Sequence, residues 1–490
     1  MIKKFELCEV GKMTLIISVI LLMPLTVLPF YKEDIKYAWA FLVSSGISAC
    51  ISAIICIIES RLKIRNRGTR LSSSVILFIW VYAVVAGAFP LFITGQLNVL
   101  QSLFESVSGW TTTGLSVMAA EKIPHIIVFH RCFMQYCGGI GFVLMMLAVI
   151  KGKNTADLYC AEGHNDYIKA SLWKTARSIV YIYLLMLTAG VIMYKAAGMT
   201  FFDSIMHAMT ALSTGGFSTK SDSIGAYKSV AVEAVTILLM ILGTTNFATL
   251  LLIFSGKLRS AAKISELRFM FVILLIAVPF VSLILIFQAY MSAGEALRQG
   301  VFNVVSALST TGFSTVSYNN WPGAAVGTLI LLMIIGGGTG STAGGMKLSR
   351  VYILSRLAGK AFSDKMLPSD RIRKMFYYKA KGRSEIDTDT VRETVNFAVW
   401  YLMIFTVGSL IVTAAAHSTL ENGMFEFASA LGTVGLSVGI TSPTAGATVL
   451  ITEMFGMILG RLEIFAVLCG ISEPLIQLSS HIVKLFSRRK

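Results

Sequence analysis

"ALSTTGFST" spans residues 307–315, and close copies of it occur three more times. They are "SGWTTTGLS" at 108–116, "TALSTGGFS" at 210–218 and "SALGTVGLS" at 429–437. Measured at the shared glycine (Gly114, Gly216, Gly312, Gly435), the copies lie 102, 96 and 123 residues apart. The longer last interval contains a basic insertion around Lys360–Arg383.

The flanks of these stretches repeat as well. Ahead of each lies a long apolar segment and then a short amphipathic one: Leu100–Trp110, Phe202–Leu212, Ala296–Leu308 and Gly423–Leu431. Behind each come turn residues and another apolar run. A segment of about 11 residues is about 16 Å long as a helix, half of a bilayer core of about 30 Å. Each short segment should therefore dip into the membrane and return. Irregular backbone at that depth survives only where protein or a water-filled cavity surrounds it. Four such dips satisfy one another if they meet around one axis.

The chain has 490 residues, 55% hydrophobic and 14% charged, with a mean hydropathy of +0.74. Apolar stretches such as Leu15–Phe30, Tyr37–Ile58, Val75–Ile93 and Phe271–Phe287 are long enough to cross a bilayer. The ten-residue alternation of a membrane β-barrel is absent. The expected fold is an all-α polytopic membrane protein. Residues 1–70 supply two extra N-terminal spans, 71–160 the first pore repeat and 161–258 the second. The third, with a Gly-rich loop, is 259–358, a basic loop is 359–390, and 391–490 is the fourth. This gives ten full spans and four half-helices.

A net charge of +16 would suggest nucleic acid in a soluble protein. Here the lysines and arginines gather in alternate loops, at Arg61–Arg70, Lys151–Arg177, Lys257–Arg268 and Lys347–Arg392. That is the positive-inside pattern of an inner-membrane protein with both termini in the cytoplasm, and it decides against nucleic acid. The seven cysteines have no pairing or metal-ligand spacing, so neither a disulfide nor a transition-metal site is expected.

A cation crossing a membrane must exchange water for other oxygens, and backbone carbonyls supply strong dipoles without net charge. Aiming successive carbonyls at one axis demands unusual dihedrals, which glycine reaches at low steric cost. A threonine hydroxyl adds another oxygen. Each half-helix also ends at its loop, so its negative dipole end faces the same place. The candidate ion ligands are Thr112, Thr113 and Gly114; Thr214, Gly215 and Gly216; Thr310, Thr311 and Gly312; and Thr433, Val434 and Gly435. Nine residues before each glycine stands a polar side chain: Glu105, His207, Asn303 and Glu426. These read as braces of the loops, with direct contact to the ion as the alternative.

"TTTGLS", "STGGFS", "STTGFS" and "GTVGLS" resemble the filter loops of the Trk/Ktr/HKT superfamily of potassium and sodium transport proteins. "QYCGGIGFVLMM" (135–146), "GTTNFATLLL" (243–252), "GGGTGSTAGGMKLSR" (336–350) and "GRLEIF" (460–465) resemble the second spans of its four repeats. The N-terminal pair of spans resembles the Trk type. The resemblance implies a four-subunit channel fused into one chain, taking up potassium, with sodium as an alternative ion. It also implies a homodimer on a cytosolic ring of nucleotide-binding regulatory subunits, any nucleotide being bound there and no cofactor on this chain. The basic loops suit either that ring or anionic lipid.

Two features read as a gate. Gly336, Gly337, Gly338, Gly340, Gly344 and Gly345, with Ser341, Thr342, Ala343 and Lys347, interrupt an apolar span. The run is not a Walker A loop, because Met346 stands where that motif has lysine. An open loop obstructing the passage below the filter is expected, which is also what the resemblance implies; a static kink for close packing is the alternative. Arg461 lies in an apolar stretch, where a charge costs about 2.5–3.5 kcal/mol on insertion scales. Glu463 is on another helix face, so the expected partners are carbonyls of the Gly336–Gly345 loop; the alternative is a static ion pair. No nucleophile–base set or paired carboxylates converge, so an enzyme is not expected. The competing transport reading is a proton- or sodium-coupled symporter or other secondary carrier.

Overall fold

The computed structural model describes residues 9–62, 72–141, 172–366 and 374–472. Two helices, Glu9–Leu22 and Ala38–Leu62, open the chain. They pack through small polar residues: Ser18 and Ser45 each donate to the other's backbone carbonyl at 2.9 Å, and Ser52 donates to Gly11 O at 2.6 Å. Small hydroxyl residues let membrane helices approach closely. Ser48 meets Tyr82 at 2.7 Å and ties the pair to the next helix.

The elements then recur in one order. Outer helices are Ser72–Ile93, Leu172–Ala196, Ser265–Gln288 and Thr388–Ala416. Half-helices are Val99–Trp110, Phe201–Leu212, Ala293–Ser309 and Leu420–Leu431. Inner helices begin at His125, Val230, Gly323 and Ala447. The outer helices keep large apolar side chains exposed, among them Leu275 and Val407, as a lipid-facing surface should. The half-helices are buried at their C-terminal ends.

Each half-helix starts at a side-chain cap. Asn98, Thr200, Ser292 and Thr419 accept from the backbone N–H three residues on, at Gln101, Asp203, Glu295 and Asn422. The helices begin one to three residues before the starts expected from apolar patterning. The third is 17 residues long, where the others are 12.

Ten full spans are expected for the whole chain, and the described residues show fewer that are long and apolar enough. Among the described residues six helices are long and apolar enough to cross, and two bent pairs bring the number to eight. The other two inner helices are His125–Ile140, whose continuation lies outside the described residues, and Gly323–Ile335, too short to cross. Only the third inner span carries an expected interruption, yet all four inner helices end or bend at comparable places. Val230–Thr244 turns by 112° into Phe247–Phe254, and Ala447–Arg461 by 101° into Ile464–Ser472. The first inner helix ends at Gly141, φ +87°, and the third at Gly336, φ +71°.

The basic loop departs from an all-helical chain. Met375–Lys379 pairs antiparallel with Gly382–Ile386 as a small hairpin, with Met375, Tyr377 and Ile386 packed on Ile353 of the helix Leu348–Met366. Tyr378 N donates to Ser265 Oγ at 3.0 Å, joining the hairpin to the third outer helix.

Candidate ion pathway

Thr112, Thr214, Thr310 and Thr433 stand at φ +57°, +51°, +56° and +49°, and Gly114, Gly216, Gly312 and Gly435 two residues later at +95°, +73°, +79° and +100°. A β-branched residue in the left-handed region is strained. Finding threonine there in all four loops means the surroundings impose the conformation.

The glycines also decide how the loops meet. A β-carbon on Gly114 would collide with Gly215 O, one on Gly216 with Thr311 O, one on Gly312 with Val434 O, and one on Gly435 with Thr113 O. Each glycine therefore lies against the carbonyl preceding the next loop's glycine. The order runs first to second, third, fourth and back to first, a closed ring. Eight of the twelve expected ligand residues make these contacts, the four glycines and Thr113, Gly215, Thr311 and Val434, whose carbonyls seal the ring; the left-handed threonines stand one residue before each carbonyl.

The four polar residues ahead of the loops are all fully buried and bond the segment that follows each glycine. Glu105 accepts from Ser116 Oγ at 2.6 Å and Val117 N at 2.7 Å. His207 Nε2 is 3.0 Å from Ser218 Oγ. Asn303 donates to Thr315 Oγ1 at 3.2 Å and accepts from Tyr318 OH at 2.7 Å. Glu426 accepts from Ser437 Oγ at 2.6 Å, Val438 N at 3.0 Å and Thr441 N at 2.9 Å. Bracing is thus their visible geometry.

Several members of the site were not singled out from the sequence. Gln135 on the first inner helix straps the second loop: its Nε2 donates to Gly215 O at 2.5 Å and its Oε1 accepts from Phe217 N at 3.1 Å. Arg131, also buried, pairs with Glu105 at 3.0 Å and lies over the Phe217 ring at 4.1 Å. Thr441 Oγ1 lies 2.6 Å from Glu426 and 3.0 Å from buried Glu453, a single hydroxyl between two carboxyl groups. A signal was available for one column: a hydroxyl residue stands six before each glycine (Ser108, Thr210, Ser306, Ser429). Ser108 and Ser429 accept from Gly114 N and Gly435 N at 3.0 and 2.9 Å.

The Gly336–Gly345 loop lies against the threonine ends of the filter-like loops. Gly344 N donates to Thr310 Oγ1 at 2.9 Å, Thr342 Oγ1 is 3.0 Å from Thr214 Oγ1, and Gly344 is so close to Thr433 that a β-carbon would strike its hydroxyl. Gly336 and Gly345 meet at the neck, with Met346 N donating to Ile334 O at 3.0 Å and Leu348 N to Gly337 O at 2.8 Å. Gly338 N donates to Thr244 O at 3.1 Å, and Gly340 O accepts from Phe247 N at 3.0 Å, both at the break of the second inner helix. Ser341 Oγ closes onto Gly338 O at 2.6 Å. Lys347, at φ +79°, turns its ammonium back onto Ala343 O.

Arg461 binds the loop and a neighbouring repeat together. Its Nη1 donates to Thr342 O at 2.6 Å and its Nη2 to Gly138 O at 2.5 Å and Gly139 O at 3.1 Å. Glu463 pairs instead with Arg350 at 2.7 Å.

The fold and the ring together define a helical membrane protein whose four quasi-equivalent loops enclose one axis. A profile of the TrkH family, described as cation transport protein, matches residues 49–474, and the chain belongs to that family. It is a membrane transport protein and not an enzyme. The Trk system potassium uptake protein TrkG of Escherichia coli (strain K12) is 30% identical over 472 residues, 94% of this chain and 95% of that protein. TrkH of Vibrio parahaemolyticus, also a Trk system potassium uptake protein, is 28% identical over 483 residues, covering 94% and 96%. The crystal structure of the potassium transporter TrkH from Vibrio parahaemolyticus superposes with a TM-score of 0.82 at 26% identity, covering 96% of this chain and 98% of that one.

Proposed function

We propose that the chain takes up potassium through the ring of four loops, with the carbonyls around Gly114, Gly216, Gly312 and Gly435 replacing the ion's water. The observation that carries this is the cyclic close approach of the four glycines. It favours a pore with rotational pseudo-symmetry over a carrier built from inverted repeats. No acidic side chain is among the twelve ring residues, so selection rests on dipoles, as suits a monovalent ion that must leave again. Both relatives are named potassium uptake proteins, which favours potassium over sodium as the cargo.

The Gly336–Gly345 loop is the gate in this reading. It touches the threonines of three loops from below, and Arg461 holds it there while placing a positive charge under the ring. The basic loops support a cytoplasmic position for this side. The names of the relatives assign them to a Trk system. A cytosolic nucleotide-binding ring as regulator and a homodimer complete the proposal.

Rubidium flux into vesicles holding the purified chain tests the central step. Wild type should admit rubidium, and Gly312→Ser should change the preference between potassium and sodium. An unchanged preference in a folded Gly312→Ser protein removes Gly312 from the ion path.

A further inference from the structure

We infer that the basic end of the molecule binds the phosphate of an anionic membrane lipid. A cleft of about 530 Å³ lies between the start of the third outer helix, the helix Leu348–Met366 and the hairpin. Arg268, Arg356, Lys374 and Arg383 line it with Phe269 and Phe376, and no carboxylate does. Lys374 is neutralised by Glu385 at 3.0 Å. The three arginines have no carboxylate within ion-pair distance among the described residues. Arg268 commits its Nε to Ala262 O at 2.7 Å, which leaves its terminal nitrogens to a ligand. Arg383 is stacked on the Phe376 ring at 3.6 Å, so its planar donor fork is held before any ligand arrives.

Three guanidiniums around one cleft suit a phosphate, which accepts paired N–H donors. The position of the cleft selects the kind of phosphate. Val272 lines it, and from there the exposed apolar face of the same helix continues through Leu275 and Ile276. The helix is a membrane span, so its basic end lies at headgroup level. A ligand with a phosphate and an adjoining acyl chain uses both surfaces, whereas a soluble anion uses only the first. Basic pockets beside membrane helices are suited to such headgroups. The cleft shares no residue with the ion pathway, so the inference stands apart from the proposed conduction.

Thermal unfolding of the full chain in detergent provides the test, because a ligand bound to the native state raises its midpoint. Phosphatidylglycerol should raise the midpoint, and phosphatidylcholine with the same acyl chains should not. Removing two charged donors weakens binding by about tenfold or more, so Arg356→Gln with Arg383→Gln should need that much more phosphatidylglycerol for the same rise. Both side chains are exposed, and each protein's response is read from its own lipid-free midpoint, because Arg383→Gln also removes the contact with the Phe376 ring. If the double variant proves unstable, Arg356→Gln alone is read by native mass spectrometry as loss of retained phosphatidylglycerol. A full response in the variants overturns the inference, and so does an equal rise with inorganic phosphate alone.

Discussion

Gly312 has nowhere to put a side chain. A β-carbon would meet Val434 O and the Gly435 backbone, and the residue sits at φ +79°. Neither neighbour is a flexible tip, so a substitution must move backbone. That is why Gly312→Ser is expected to alter ion preference and not merely to lower expression. Arg131 makes a prediction of another kind. It is the cation paired with fully buried Glu105, and removing one partner of a buried pair costs about 3–5 kcal/mol because the other charge stays stranded. Arg131→Ala should lower the unfolding midpoint sharply, and adding Glu105→Gln should recover part of the loss. A midpoint unmoved in the single variant would show that the pair does not hold the first loop. His207 and Asn303 fill the same column without a carboxylate, and Glu426 has no cation within ion-pair distance among the described residues, so only the first loop should depend on a charge pair.

At the scale of elements, the Gly336–Gly345 loop and the broken inner helices act together. The loop is tied to the second inner helix at its bend, to Thr214 and Thr310 of the ring and to Arg461, and it lies against Thr433. If it obstructs the passage, deleting residues 340–344 should raise rubidium flux, and Arg461→Gln should raise it as well by releasing Thr342 O. Single-channel recording separates this from packing damage: a higher open probability is expected, and an unaltered one would make the glycine run a static kink. The sequence disclosed the third break because six glycines crowd together there. The second and fourth were hidden because nothing in "TTN" or "RLE" forbids a helix by itself. Tertiary partners turn the chain instead: Asn246 caps the following helix by accepting from Ala248 N at 2.7 Å and donates to Thr339 O, while Glu463, at φ +62°, reaches Arg350 of another element. The hairpin escaped notice because its short aromatic "MFYYK" run lies inside a segment dominated by charge. The ring was legible because four stretches in register reinforce one another, whereas Gln135 and Arg131 occur in one repeat only and lacked that support.

Taken as a whole, the molecule depends on one closed circuit, in which four loops distributed along the chain meet only through tertiary folding. Cyclic order follows chain order, so each repeat needs both neighbours, and the last must return to the first. The contact of Gly435 with Thr113 O is therefore the long-range closure on which the proposed pathway rests. Gln101 Nε2, donating to Pro443 O at 3.0 Å, fastens the same seam from outside. Anomalous diffraction from crystals grown in rubidium would examine that circuit directly. Density is expected on the axis of the ring, within ligand distance of the carbonyls of Thr113, Gly215, Thr311 and Val434. Rubidium bound elsewhere with none on that axis, or a map in which the four loops do not surround a common centre, would contradict it.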